Sequence, residues 1–267
     1  CGKAKFNIAA KPTDEFPYLP QIVKEKHVEI SQFTLKDIIR QTVFSISDNE
    51  NTKVMTGELF EITDNKLKVV SLDGHRISIR NVELNNSYDN ISVIIPGKTL
   101  IEINKILNGG VDDIVKIYFT DKHILFEFEN TVVLSRLIEG EYYKIDKMLS
   151  SDYETKITVN KKEMLDSIDR TTLLMKESEK KPVIIDIKDN SMGLAMNSSI
   201  GSMDEEIDAV KEGKDILIGF NPRFLIDALR VIDDEEITLY MINPKAPCFI
   251  RDKDESYIYL ILPVNFN

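Results

Sequence analysis

The chain has 267 residues, with 34 Lys or Arg against 45 Asp or Glu, a net charge of −11. Hydrophobic residues at 42% and charged residues at 30% fit a water-facing folded chain and exclude a disordered or membranous one. Two cysteines, Cys1 and Cys248, exclude a disulfide framework and suit a reducing, cytoplasmic setting, while the longest apolar run, Tyr257 to Val264, is far shorter than the roughly 20 residues of a membrane helix.

In chain order, Lys5 to Ala9 alternates like a single strand that lacks a partner of its own. This reads as a piece of a longer protein, with residues 1–22 a remnant of a preceding domain plus a Pro-bearing linker. No basic segment followed by an apolar stretch opens the chain, so no signal peptide is read. The sequons at Asn85 and Asn197 are then chance matches. Leu35, Ile38, Ile39 and Val43 stand at helical spacing after Thr34, the expected N-cap. Short alternating runs follow at Glu58 to Ile62, Lys66 to Val70 and His75 to Val82, with Asp64-Asn65 as a turn. A second helix begins near Gly97, places Leu100, Ile103, Ile106 and Leu107 on one face and stops at Gly109-Gly110. Strands return at Ile114 to Thr120, Ile124 to Glu129 and Thr131 to Leu137.

The chain then repeats itself. Ile62-Thr63-Asp64-Asn65-Lys66-Leu67 matches Ile187-Lys188-Asp189-Asn190-Ser191-Met192 at an offset of 125. Pro96-Gly97-Lys98-Thr99-Leu100-Ile101 matches Asn221-Pro222-Arg223-Phe224-Leu225-Ile226 at the same offset, and Leu35 falls opposite Lys161 at 126. Two similar domains are expected, 23–150 and 151–267, meeting near Ser150-Ser151-Asp152. Each reads as helix, strands, helix, strands, with Asn221 capping the last helix and Pro222 in its first turn. The class is α+β, antiparallel sheets backed by two helices per repeat.

Lys98 and Lys105 lie seven residues apart on one helix face, and their counterparts Arg223 and Arg230 repeat that spacing. Lys36 and Arg40 form an i, i+4 pair on the first helix. Ordinary solvated surface explains such pairs, and so does a surface for a polyanion, since phosphate affinity follows clustered Lys and Arg rather than net charge.

The segments Leu72-Asp73-Gly74-His75-Arg76, Ile94-Ile95-Pro96, Leu107-Asn108-Gly109-Gly110, Leu137-Ile138-Glu139-Gly140, Gly219-Phe220-Asn221 and Tyr259 to Val264 span nearly the whole chain. In this order and spacing they resemble the bacterial DNA polymerase III beta subunit, the replicative sliding clamp. The resemblance implies a DNA clamp fold with three such domains per subunit, and a homodimer of full-length subunits closed head to tail around duplex DNA. The chain would hold the middle and last domains, so it would not close a ring alone. Helices would line the inner wall, turning Lys36, Arg40, Lys98, Lys105, Arg170, Arg223 and Arg230 toward phosphates without reading sequence.

The same resemblance implies a cleft for partner peptides between the two domains. Carried over by position, it comprises Met55, Leu72, Gly74, His75, Ile77, Met148, Leu262, Pro263 and Val264, with Lys147, Asn221, Phe224 and Pro247 at its edge. Without the resemblance these residues read as core. Leu72 stands where Thr is common, Tyr143 where Pro is common and Asn265 where Arg is frequent, which bears on peptide preference. The implied partners are the replicative polymerase catalytic subunit, the clamp loader and other repair and replication proteins. Neither a cofactor nor a metal is implied.

An enzyme is not expected. Gly97-Lys98-Thr99 looks like the end of a phosphate-binding loop, but Ser92 occupies the position of its first Gly. His27, His75 and His123 lack metal-ligand spacing. Acid pairs such as Asp112-Asp113 and Asp233-Asp234 sit in turns after helices. The competing reading is an α+β repeat scaffold for protein interactions that does not bind DNA.

Overall fold

The computed structural model describes residues 2–15, 20, 22, 24, 26–149, 151–175, 181–252 and 254–266; Ser150 of the expected junction lies outside them. In the first repeat, Val28–Ser31 (β1) runs straight into helix Gln32–Thr42 (α1). Two long strands follow, Gly57–Leu72 (β2) and Arg76–Pro96 (β3), then helix Gly97–Ile106 (α2) and strands Ile114–Phe119 (β4), His123–Phe128 (β5) and Thr131–Arg136 (β6). The second repeat opens with Thr155–Asn160 (β7) and helix Lys161–Thr172 (α3). Strands Val183–Lys188 (β8), Ser191–Asn197 (β9), Ser202–Gly213 (β10) and Ile216–Phe220 (β11) lead to helix Pro222–Val231 (α4). Glu236–Met241 (β12), Cys248–Arg251 (β13) and Tyr257–Ile261 (β14) complete it. This is the α+β class. Among the described residues, no helix is long and apolar enough to cross a membrane.

The strand pairings are antiparallel. One sheet has the order β1-β4-β5-β6; the other runs β11-β8-β9-β10-β7-β12-β13-β14-β3-β2. The second sheet crosses the repeat boundary where β14 pairs with β3, from Tyr257 opposite Arg80 to Ile261 opposite Arg76. Each repeat keeps its own core under its helices: Leu35, Ile39, Phe60, Leu100 and Phe126 in the first, Met164, Ile168, Leu194, Leu225 and Leu239 in the second. A third cluster joins them, with Leu72 and Ile77 packed against Phe249 and Leu260.

Several expectations are corrected. Ser31 caps α1, its Oγ accepting from the Thr34 N–H at 3.0 Å, because the cap is also the last residue of β1. Asn160 caps α3 in the same way, and Asn221 caps α4 as expected. Asp64-Asn65 does not end a strand. Asp64 adopts a left-handed φ of 55° inside β2, where one pairing, Gly57–Ile62 on Ile91–Pro96, gives way to another, Lys66–Leu72 on Ile77–Glu83. Its counterpart Asp189, at φ 49°, does sit in the tight turn between β8 and β9. Ile106 is 47% exposed because α2 stops there and the extended Leu107 takes the last core place. Lys5 to Ala9 forms no strand, and Phe6 and Ile8 lie exposed.

The offset of the first helices also shifts. Leu35, Ile39 and Thr42 are buried in α1 where Met164, Ile168 and Thr171 are buried in α3, an offset of 129 rather than 126. A slip of three residues is nearly one helical turn, so the sequence match at 126 preserved the apolar pattern while misaligning it.

Beneath α1, Glu58 is fully buried, and burial pushes its carboxyl up to about 8 despite the hydrogen bond with Thr42. Thr42 Oγ1 lies 2.9 Å from Glu58 Oε2 and 2.8 Å from the Ile38 carbonyl. A protonated Glu58 donates to Thr42, which leaves the Thr42 hydrogen for Ile38. The native state therefore holds a proton that the unfolded chain releases at ordinary carboxylate pH. Stability is full below that range and falls as pH rises until about pH 8. Melting temperatures measured from pH 5 to pH 9 should fall more steeply for the parent than for Glu58→Gln, which keeps the neutral shape.

Candidate nucleic-acid interface and partner cleft

The helices touch in the order α2–α1–α4–α3, a single row across both repeats. They carry nine basic and six acidic residues, a local net charge of +3 in a chain of −11. Lys98 and Lys105 stand exposed on α2, beside Glu50 at 3.5 Å and Glu102 at 2.7 Å. Arg230 meets Asp169 at 3.4 Å, and Arg170 pairs with Glu205, whose hydrogen bonds hold that carboxyl below its ordinary range. Arg223 is exposed, with no side-chain ion pair among the described residues. Exposed pairs of this kind contribute about 0–1 kcal/mol each, so a phosphate can replace the carboxylate at small cost.

The other two of the seven expected phosphate contacts, Lys36 and Arg40, are placed differently. Lys36 Nζ donates to the Leu107 carbonyl at the C-terminal end of α2, 2.9 Å away. Lys161 does the same to Ile232 beyond α4, at 2.6 Å. Arg40 spans the repeat boundary, donating to Asp37, to the Val231 carbonyl at 3.0 Å and to Asp233 at 2.7 Å.

Arg40 is one of three arginines of the first repeat that reach acids of the second. Arg80 donates to Ser256 and lies 3.9 Å from Asp37 and 4.0 Å from Asp252. Arg76 is buried and donates to Asp73 at 3.0 Å, Asp227 at 2.7 Å and the Phe44 carbonyl at 2.6 Å. Burial opposes the Arg76 charge, but Tyr259, Asp227 and Asp73 outweigh it and raise its pKa. Ser78, between Arg76 and Arg80 on the same strand face, is fully buried and bonds Ser45 at 2.7 Å. These seam residues escape sequence reasoning. The alternation Arg76-x-Ser78-x-Arg80 reads as a solvent face, whereas the second repeat covers it.

Most of the residues expected to form the peptide cleft lie beside this seam. Asp73 Oδ1 accepts from the backbone N–H groups of His75 and Arg76 at 2.9 and 3.1 Å, shaping a turn in which Gly74 takes a left-handed φ of 89°. The tail after β14 runs along this turn, with the Leu262 N–H on the His75 carbonyl at 2.9 Å and the Val264 N–H on that of Gly219 at 2.8 Å. Leu72 and Ile77 are buried, and Met55 and Leu262 pack half-buried on their cluster. Pro247 precedes Cys248, whose register partner is Ile261, so it falls beside Leu262. Phe224, three residues after the cap Asn221, stacks its half-buried ring on His75 with centroids 6.2 Å apart. Pro263 lies between the two anchored residues of the tail. Lys147 and Met148 stand exposed on a short turn, followed by Leu149, which packs on the cluster. A separate groove of about 690 Å³ runs past Leu59, Val70, Ile94 and Tyr142 and is lined by none of the predicted cleft residues.

Comparison with known proteins agrees with this architecture. The family model for the DNA polymerase III beta subunit central domain matches residues 29–144, and that for its C-terminal domain matches residues 146–265. The chain is 34% identical over 266 residues to the beta sliding clamp of Staphylococcus aureus, covering 98% of this chain and 70% of that protein. Against the beta sliding clamp of Bacillus subtilis the identity is 37%, covering 98% and 71%. A crystal structure of a putative DNA polymerase III beta subunit from Eubacterium rectale superposes with a TM-score of 0.94 at 65% identity, covering 100% of this chain and 73% of that one. The chain belongs to the DNA polymerase III beta subunit family, the non-catalytic sliding clamps of DNA replication. The DNA-free scaffold is therefore the weaker of the two readings.

The seam is open to a direct test. Asp227→Ala strips the buried Arg76 of one partner, which should lower stability by about 1–3 kcal/mol in urea unfolding.

Proposed function

We propose that the helix row α2–α1–α4–α3 faces duplex DNA and that the cleft beside the seam takes the peptides of partner proteins. The observation that carries the first part is the segregation of charge. A polyanion is repelled by the chain as a whole and meets a local net charge of +3 along the helices, through exposed side chains held by weak surface pairs. Such contacts carry no base readout and break easily, so the protein can slide, and retention on DNA comes from encirclement rather than affinity. Lys98, Lys105, Arg170, Arg223 and Arg230 are the foremost phosphate contacts. Lys36 and Arg40 contribute charge while serving the packing of the helices.

In this reading 23–150 and 151–267 act as the middle and last domains of a subunit that closes a homodimeric ring through a further domain. The partners are the replicative polymerase catalytic subunit, the clamp loader and other replication and repair proteins, each presenting a short segment to the cleft. Replacing Lys98, Lys105, Arg223 and Arg230 together by Ala in the full-length protein should leave folding intact and weaken retention on DNA. Each lost phosphate contact should flatten the log–log dependence of DNA association on salt by about 0.9. An unchanged slope would assign these residues to ordinary surface.

The cleft can be tested separately. A peptide with Gln, then Leu, then a terminal apolar or aromatic pair should bind with micromolar affinity, about −8 kcal/mol. Met148→Ala with Leu262→Ala should weaken it by about 1–3 kcal/mol in calorimetry, because both remove apolar contact from an adaptable cleft. Lys98→Ala should leave this affinity unchanged.

A further inference from the structure

We infer that Arg76 is the positioning residue of the partner cleft, holding Phe224 of one repeat against His75 of the other; this rests on the cleft reading above. Two aromatic rings form one wall of the cleft, and they come from different repeats. The His75 and Phe224 rings lie 29° from parallel with centroids 6.2 Å apart. Each ring is anchored through Arg76. On the Phe224 side, the guanidinium carbon sits 4.2 Å from the ring centroid, within the range of a cation–π contact. Its Nη1 holds Asp227, three residues further along the same helix and so on the same helix face. On the His75 side, its Nε holds Asp73, whose other oxygen fixes the backbone N–H groups of His75 and Arg76. The third donor, Nη2, binds the Phe44 carbonyl, and the Phe44 ring lies 5.4 Å from the guanidinium carbon.

This arrangement needs an arginine. Three acceptors surround one planar group whose central carbon sits over an aromatic ring. An ammonium could keep the charge and one carboxylate, but it could not span the three acceptors while staying over the Phe224 ring. The Phe224 backbone belongs to α4, and its carbonyl accepts at 2.9 Å from Tyr259 Oη, a hydroxyl that also interacts with the Arg76 guanidinium; Arg76 therefore supports that anchor as well as holding the ring. Arg40 and Arg80 cross the same seam without a ring contact to Phe224 or His75. Arg80 therefore separates positioning from seam stability.

The test compares Arg76→Lys with Arg80→Lys, titrating each with the Gln-Leu peptide described above at a temperature where both are folded. Arg76→Lys should weaken binding about tenfold, with Arg80→Lys within about twofold of the parent. Adding Phe224→Leu to Arg76→Lys should then weaken binding less than Phe224→Leu does alone, because the ring is already released. A peptide-free measurement stands beside these. The His75 ring proton shifts in Arg76→Lys should move toward those of Phe224→Leu and stay at the parent values in Arg80→Lys. Full peptide affinity with parent-like His75 shifts in Arg76→Lys overturns the inference. Equal losses in Arg76→Lys and Arg80→Lys also overturn it, reducing Arg76 to a seam residue. Failure of the parent to bind the peptide overturns the cleft reading instead, and the His75 shifts still decide whether Arg76 holds the ring.

Discussion

The ladder between β14 and β3 joins the two repeats into one body, and the surrounding chemistry follows from it. Pairing Tyr257–Ile261 with Arg76–Arg80 carries a sheet across the boundary and covers side chains that alternate along both strands. On β3 one face is apolar, with Ile77 and Ile79 in the shared cluster, and the other holds Arg76, Ser78 and Arg80. Covering two guanidinium groups requires acceptors, and the second repeat supplies Asp227 on α4 and the Asp252–Ser256 loop before β14. Arg40 extends the same logic to the helix layer, where it ties α1 to the end of α4.

With the repeats locked, the four helices must lie side by side, and residues far apart in sequence acquire fixed spacings in one row. The separation of charge then becomes a property of layers. Among the basic side chains of the row, several sit at the surface beside single carboxylates, whereas the seam arginines are enclosed by several acceptors each. The same residue type does two jobs according to burial. Exposed, it can exchange partners; enclosed, it sets geometry.

Much of this was legible in the sequence because it rests on short periods. The two helices of each repeat, the strands β4 to β6, the cap at Asn221 and the duplication itself all follow from apolar spacing and local turn chemistry. What was hidden depends on partners distant in sequence. A polar strand face looks solvated until another strand covers it, as at Arg76 and Arg80. A helix match slipped by about a turn keeps its pattern, so the offset of 129 between α1 and α3 shows only in the buried faces. Asp64 looks like a chain reversal, yet in β2 it marks a shift of register against the same partner strand, β3, which nothing local specifies. For the cleft, the apolar members were indistinguishable from core, and the family resemblance singled them out.

The two lysines that close the ends of α2 and α4 have an electrical consequence. Aligned peptide dipoles leave the equivalent of about half a negative charge at the C-terminal end of a helix. Two such negative poles would lie in the row proposed to face DNA. Lys36 and Lys161 place an ammonium 2.9 and 2.6 Å from the terminal carbonyls of Leu107 and Ile232 and so mask both poles. Their contribution to a phosphate-facing surface is then larger than their own exposure suggests: removing either would both delete a cation and uncover a fixed negative pole.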